Sequence, residues 1–149
     1  MRMYETLMAS YGKSVGIEFK SGGKIANTLP AHSVIQQVQT AHGPETAGRL
    51  VNALYKRFFE EAAHPSSDET LVAACVEAGV DESEARRLVG DKDENLRDVK
   101  AAIQEQRMNG IDSVPTVMIE GRRRDITLVG AKEVAEYVKA LTTIAKESV

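Results

Sequence analysis

A proline at the mouth of a β-branched apolar run sets the tightest limit on what this chain can fold into. Residues 110–119 read Gly-Ile-Asp-Ser-Val-Pro-Thr-Val-Met-Ile. Pro115 has no backbone N–H to give to a sheet ladder, which confines it to a strand's first residue or to an edge. The proline ring also keeps Val114 out of helical backbone angles and drives it extended. A cis bond between the two is within reach, because a cis X-Pro peptide costs only about 0.5–1 kcal/mol. Downstream, Val117 and Ile119 share one side of a strand, Glu120-Gly121 reads as a tight turn, and Ile126 and Leu128 mark a second strand. After Gly130, the spacing of Val134, Tyr137, Val138, Leu141 and Ile144 predicts an amphipathic helix with a stripe wide enough to pack on a sheet. A ββα unit closes the chain.

Upstream, the apolar spacing is helical over most of the length. Tyr4, Leu7, Met8 and Tyr11 fall on one helix face, with Gly12 as the expected stop. Val15, Ile17 and Phe19 alternate with Gly16 and Glu18, which predicts a short half-buried strand, and Ser21-Gly22-Gly23 turns the chain after it. Thr28 is placed to cap a helix with Pro30 in its first turn and Ala31, Val34, Ile35 and Val38 on its apolar face. Gly43-Pro44 breaks that helix. The next carries Ala47, Leu50, Val51, Leu54, Tyr55 and Phe58, the richest apolar stripe in the chain, and His64-Pro65 ends it. Ser66 with Glu69, and Asp81 with Glu84, have the spacing of capping boxes for two further helices. The first holds Leu71, Val72, Cys75 and Ala78, and the second ends at Gly90. A last helix with Leu96, Val99 and Ile103 stops at Gly110. The expectation is a block of four or five helices between a short strand and the ββα closure.

Composition then narrows the function classes. A length of 149 residues is that of one ordinary domain, and 42% hydrophobic with 28% charged residues is a globular balance. A net charge of −3, with no basic stripe on any helix, leaves no footprint for nucleic acid. No apolar run reaches membrane-spanning length, and Met1-Arg2 leads into an amphipathic segment rather than a signal peptide. The expected location is cytoplasmic, with neither nucleic acid nor membrane as a partner. A single cysteine, Cys75, excludes an internal disulfide and a multi-cysteine metal site. It falls late in its helix, on the stripe of Leu71 and Ala78 with Glu77 nearby, and lacks the electropositive, open setting that stabilises a thiolate. It reads as a small buried hydrophobe. His32, His42 and His64 lie far apart, without the i, i+4 partner of a metal-binding helix. No metal and no catalytic residue are expected. Arg122, Arg123 and Arg124 at the hairpin tip read as a solvated turn, with an anionic partner as the alternative.

Five stretches follow one another in a recognisable order. They are Gly16-Ile17-Glu18-Phe19, Asn27-Thr28-Leu29-Pro30-Ala31-His32, Phe58-Phe59-Glu60-Glu61, Leu71 through Gly79-Val80-Asp81, and Gly110-Ile111-Asp112-Ser113-Val114-Pro115-Thr116. Together, over about Met3 to Leu141, they resemble the DsbA-like family, in its FrnE and 2-hydroxychromene-2-carboxylate isomerase branch. The resemblance implies an α/β, thioredoxin-like fold, helix-rich and with a large helical insertion. It divides a single domain, 1–149, into a residual thioredoxin-fold helix and strand (1–24), the insertion (25–109) and a cis-proline ββα closure (110–149). Two departures stand out. Ser113 occupies the place of the family's glycine before Val-Pro. The family's opening βαβ unit, which carries Cys-x-x-Cys in the oxidoreductases or Ser/Cys in the glutathione-dependent isomerases, has no counterpart, so the chain is expected to be a truncated member.

The resemblance implies thiol–disulfide oxidoreductase ancestry and assigns substrate binding to Ser113, Val114 and Pro115, where a strand offers its backbone to an extended ligand. One thiol cannot run a dithiol–disulfide cycle within one chain, so this polypeptide is expected to be inactive. The implied partners are protein or peptide thiols and disulfides, or glutathione; no cofactor is expected apart from glutathione as a candidate. Two alternatives stand beside this reading. One is a relative of the glutathione-dependent isomerases and kappa-class transferases. The other is a non-catalytic helical assembly module. A hairpin is marginal alone and an open strand edge invites pairing, which predicts a homo-oligomer, most simply a two-fold dimer.

Overall fold

The computed structural model describes residues 2–147, with side chains from Glu5 onward. Its elements are α1 (Arg2–Ser14), α2 (Leu29–Glu60), α3 (Asp68–Glu77), α4 (Glu82–Gly90), α5 (Leu96–Met108), β1 (Thr116–Ile119), β2 (Ile126–Val129) and α6 (Val134–Glu147). They form two compact units, Met1–Ala101 and Ala102–Val149.

In the first unit, α1 runs through Gly12 instead of stopping there. Gly12 is needed for a close approach: a Cβ would sit 2.6 Å from both the Ile17 carbonyl oxygen and the Phe19 ring. The chain folds back at this point, with the Ile17 N–H donating to the Gly12 carbonyl at 2.8 Å. The predicted apolar face is largely open, since Leu7 and Tyr11 are exposed and Met8 is half-buried; the Tyr4 side chain lies outside the described residues. The strand expected at Val15 to Phe19 does not form. Alternation suits a strand but supplies no neighbour, and a ladder needs a second backbone to pair with. Instead the Lys20 N–H reaches the Phe59 carbonyl at 2.8 Å, and the Phe19 ring meets the Phe59 ring edge-on at 5.7 Å.

Two caps also differ from expectation. The Thr28 side chain makes no capping bond to α2; the Asn27 side-chain oxygen accepts the Leu29 N–H instead. Ser67 caps α3 by accepting from the Thr70 N–H, while the Ser66 hydroxyl donates to the Asn27 carbonyl. One residue of phase decides this, because only Ser67 has its oxygen within reach of an unpaired N–H of the first turn. Asp81 caps α4 as expected, accepting from the Ser83 and Glu84 N–H groups. The Gly43-Pro44 break appears as a kink that joins two helical halves of α2. The core is built where these halves meet α3 and α4, with Val34, Val38, Leu50, Leu71, Cys75 and Val89 fully enclosed. Arg57 ties α2 to α3 through the Ala73 carbonyl and the Glu77 carboxylate, and its hydrogen bond holds the Glu77 carboxyl below its ordinary range.

The second unit contains the ββα closure. β1 and β2 pair antiparallel from Thr116 with Val129 to Ile119 with Ile126. The connection is therefore the whole loop 120–125 rather than a two-residue turn at Glu120-Gly121. Asp125 organises it by accepting the Gly121 N–H at 3.1 Å. Helix α6 packs on β1 and buries Ala140 and Ile144, with Tyr137 half-buried, whereas Val134, Val138 and Leu141 stay exposed. Strands lie about 5 Å apart, so a two-stranded sheet covers only part of so wide a helical stripe.

Candidate functional site

Ser113, Val114 and Pro115 form the approach to β1. Helix α5 finishes with the Gly110 N–H on the Arg107 carbonyl and the Ile111 N–H on the Gln106 carbonyl, which satisfies acceptors a helix end leaves open. The Val114–Pro115 peptide is cis. Two bonds fasten the segment: the Thr116 hydroxyl donates to the Ser113 carbonyl at 2.7 Å, and the Gly130 N–H donates to the Pro115 carbonyl at 2.8 Å. Between these ties Val114 is 87% exposed. Its N–H and carbonyl make no hydrogen bond among the described residues. The sheet there has the order β1-β2, so among the described residues β1 has a hydrogen-bonded strand on one side only. A free peptide unit running into an open strand edge is what an extended ligand needs in order to add as a strand.

The other sequence-flagged groups do different work. Cys75 is fully enclosed on α3, and burial pushes its thiol up to about 11, so it stays protonated and non-nucleophilic at neutral pH. His42 pairs with Glu84 at 3.1 Å, and His64 accepts the Ser66 N–H on its Nδ1. His32 is exposed in the first turn of α2. Among the described residues no three His, Cys, Asp or Glu side chains come together as a metal site. At the hairpin loop Arg124 pairs with Glu147 at 2.6 Å, while Arg122 and Arg123 face solvent.

A scan of family models matches the DSBA-like thioredoxin domain over residues 2–142. The chain belongs to that family. No curated protein matches the sequence. A DSBA-like thioredoxin domain is an α/β fold of the thiol–disulfide oxidoreductase type, and the helix-rich chain closed by a ββα unit is consistent with it. Among the described residues no helix is long and apolar enough to cross a membrane.

A cavity of about 420 Å³ against α2, with Ala31, Ile35, Leu54 and Phe58 in its lining, has no counterpart among the sequence-based expectations. The signal was present: these residues lie on the apolar stripes of the two α2 halves, which are wider than the core they cover. Which part of a stripe stays uncovered depends on the neighbouring segments and has no mark in the stripe itself.

Proposed function

We propose that this chain is a DsbA-like binding domain that takes an extended, thiol- or disulfide-bearing peptide along β1 and does not itself turn over disulfides. The observation that carries the reading is the free, exposed peptide unit of Val114 at an open strand edge. Ser113 and Pro115 are the positioning residues: their carbonyls are held, which leaves the Val114 N–H and carbonyl to meet a ligand backbone. Redox inertness follows from the one cysteine being buried with a raised pKa, since neither attack on a disulfide nor resolution of a mixed disulfide is open to it. The family match over residues 2–142 favours one domain, 1–149, in place of separate modules. Within this reading the FrnE and isomerase branch is the proposed lineage, glutathione the smallest ligand, and the cytoplasm the proposed location.

Amide chemical shifts followed during titration with an extended cysteine-bearing peptide, and separately with glutathione, test the binding. Shifts centred on Val114 and Thr116 are expected; no saturable change at millimolar ligand would remove the proposal. In an insulin-reduction assay the chain should add nothing to the dithiothreitol background, and turnover abolished by Cys75→Ser would refute inertness.

A second reading is favoured by the same open edge together with exposed Val138 and Leu141: a homodimer that pairs β1 with its copy. Light scattering that gives a monomer at micromolar concentration counts against it.

A further inference from the structure

The cavity on α2 belongs to the first unit, and its residues are distinct from the Val114 segment. Its walls come from one helix and the chain on either side of it: Ala31 and Ile35 from the first half of α2, Leu54 and Phe58 from the second, Ile25 before it and Pro65 after it. At about 420 Å³ it lies in the range of roughly 300–1,000 Å³ typical of small-molecule sites. No Asp, Glu, Lys or Arg lines it, and the lining residues with polar side chains are Thr28, His32 and Tyr55. A second depression differs in having charged groups in its lining, with Asp68, Glu69, Glu82 and Arg86 beside Val72, Ala73 and Val76.

The lining is mostly apolar. Of these lining residues Ile25 is 96% exposed and Tyr55 60% exposed, large apolar groups left to water. Phe59 is fixed there by three ring neighbours, Phe19 at 5.7 Å, Tyr55 at 5.9 Å and Phe58 at 4.9 Å. The lining decides what can enter. A charged ligand would lose its hydration without meeting an opposite charge, and a peptide would bring more backbone donors and acceptors than three polar side chains can satisfy.

We infer that the α2 cavity is a binding site for an uncharged, largely apolar small molecule that carries one or two hydrogen-bonding groups directed at Thr28 and His32. The proposal is independent of peptide binding at Val114. The uncharged dye N-phenyl-1-naphthylamine serves as the probe, read by fluorescence and by methyl chemical shifts on the full chain. Saturable single-site binding is expected, with shifts confined to the methyls of Ile25, Ile35, Val51 and Leu54. Ile35→Trp fills the cavity and should abolish binding. Thr28→Asp keeps a residue suited to the start of α2 but places a carboxylate in the lining, and should weaken binding by at least about tenfold. Non-saturable enhancement, or shifts centred on Met118, Val138 and Leu141, would overturn the proposal, as would wild-type affinity in both variants. Cavity methyls whose shifts follow protein concentration without probe would overturn it too, in favour of a second copy as the occupant.

Discussion

At the residue scale, two positions show how burial and close approach fix chemistry. Gly12 reads in sequence as a helix stop, yet its role is to admit the Ile17 carbonyl and the Phe19 ring where any Cβ would collide. Cys75 is the opposite case, legible from its stripe as a core residue and enclosed in fact. Its pKa carries a stability consequence whose sign is fixed. Burial raises the native thiol from 9.0 to about 11. Above the lower value the unfolded chain releases its proton while the native chain keeps it, so stability from this group is full below that pH and falls as pH rises toward the upper one. Urea unfolding of wild type and Cys75→Ala should therefore differ most at neutral pH, with the gap narrowing by on the order of 1 kcal/mol near pH 10. A gap that widens with pH would show that the thiol ionises more readily in the native state than in the unfolded one. The carboxyls of Glu77 and Asp81 move the other way, held low by the Arg57 hydrogen bond and by the Ser83 hydroxyl and N–H respectively. Their small surface contributions are lost as pH falls.

Among the elements, α2 organises the first unit. Its kink lies at Gly43, with φ 82° and ψ 173°, a region that is accessible essentially only to glycine. Pro44 has no N–H to give to the preceding turn, so the break needs both residues. Gly43→Ala should cost about 1–3 kcal/mol, seen as a lower urea midpoint at unchanged slope. An unaltered midpoint would mean that the two helical halves can rejoin without the strained angle. At α3 the helix end is closed from α2, where the Arg49 Nε donates to the Ala78 carbonyl at 2.8 Å. Sequence spacing located every helix to within a few residues, because periodicity and Gly-Pro punctuation are local signals. It misplaced the cap of α3 by one position and invented a strand at Val15 to Phe19, because those outcomes depend on which neighbour is in reach.

Across the whole molecule, buried apolar mass is uneven. The main enclosed cluster runs from Ala31 to Val89, whereas the second unit encloses only Ala140 and Ile144 among its described apolar side chains. Local opening free energy follows buried contact, so hydrogen exchange should be slowest around Leu50, Leu71 and Cys75 and markedly faster in β1, β2 and α6. Equal protection in both regions would mean that partners absent from a single chain, such as a second copy on the β1 edge, supply the missing stability.

The sequence by itself determined the run of helices, the ββα closure and the family, since periodicity, proline placement and ordered motifs are properties of the chain read locally. It also determined that no dithiol cycle can run on one cysteine. Tertiary structure alone decided that Val114 keeps a free peptide unit, that the Ile17 segment lies on α1 and Phe59 without entering a sheet, and that part of the α2 stripe lines a cavity. The physical reason is common to all three. Whether a backbone group or an apolar face is satisfied depends on what comes within a few ångströms of it, and that neighbour is set by the fold, not by position along the chain.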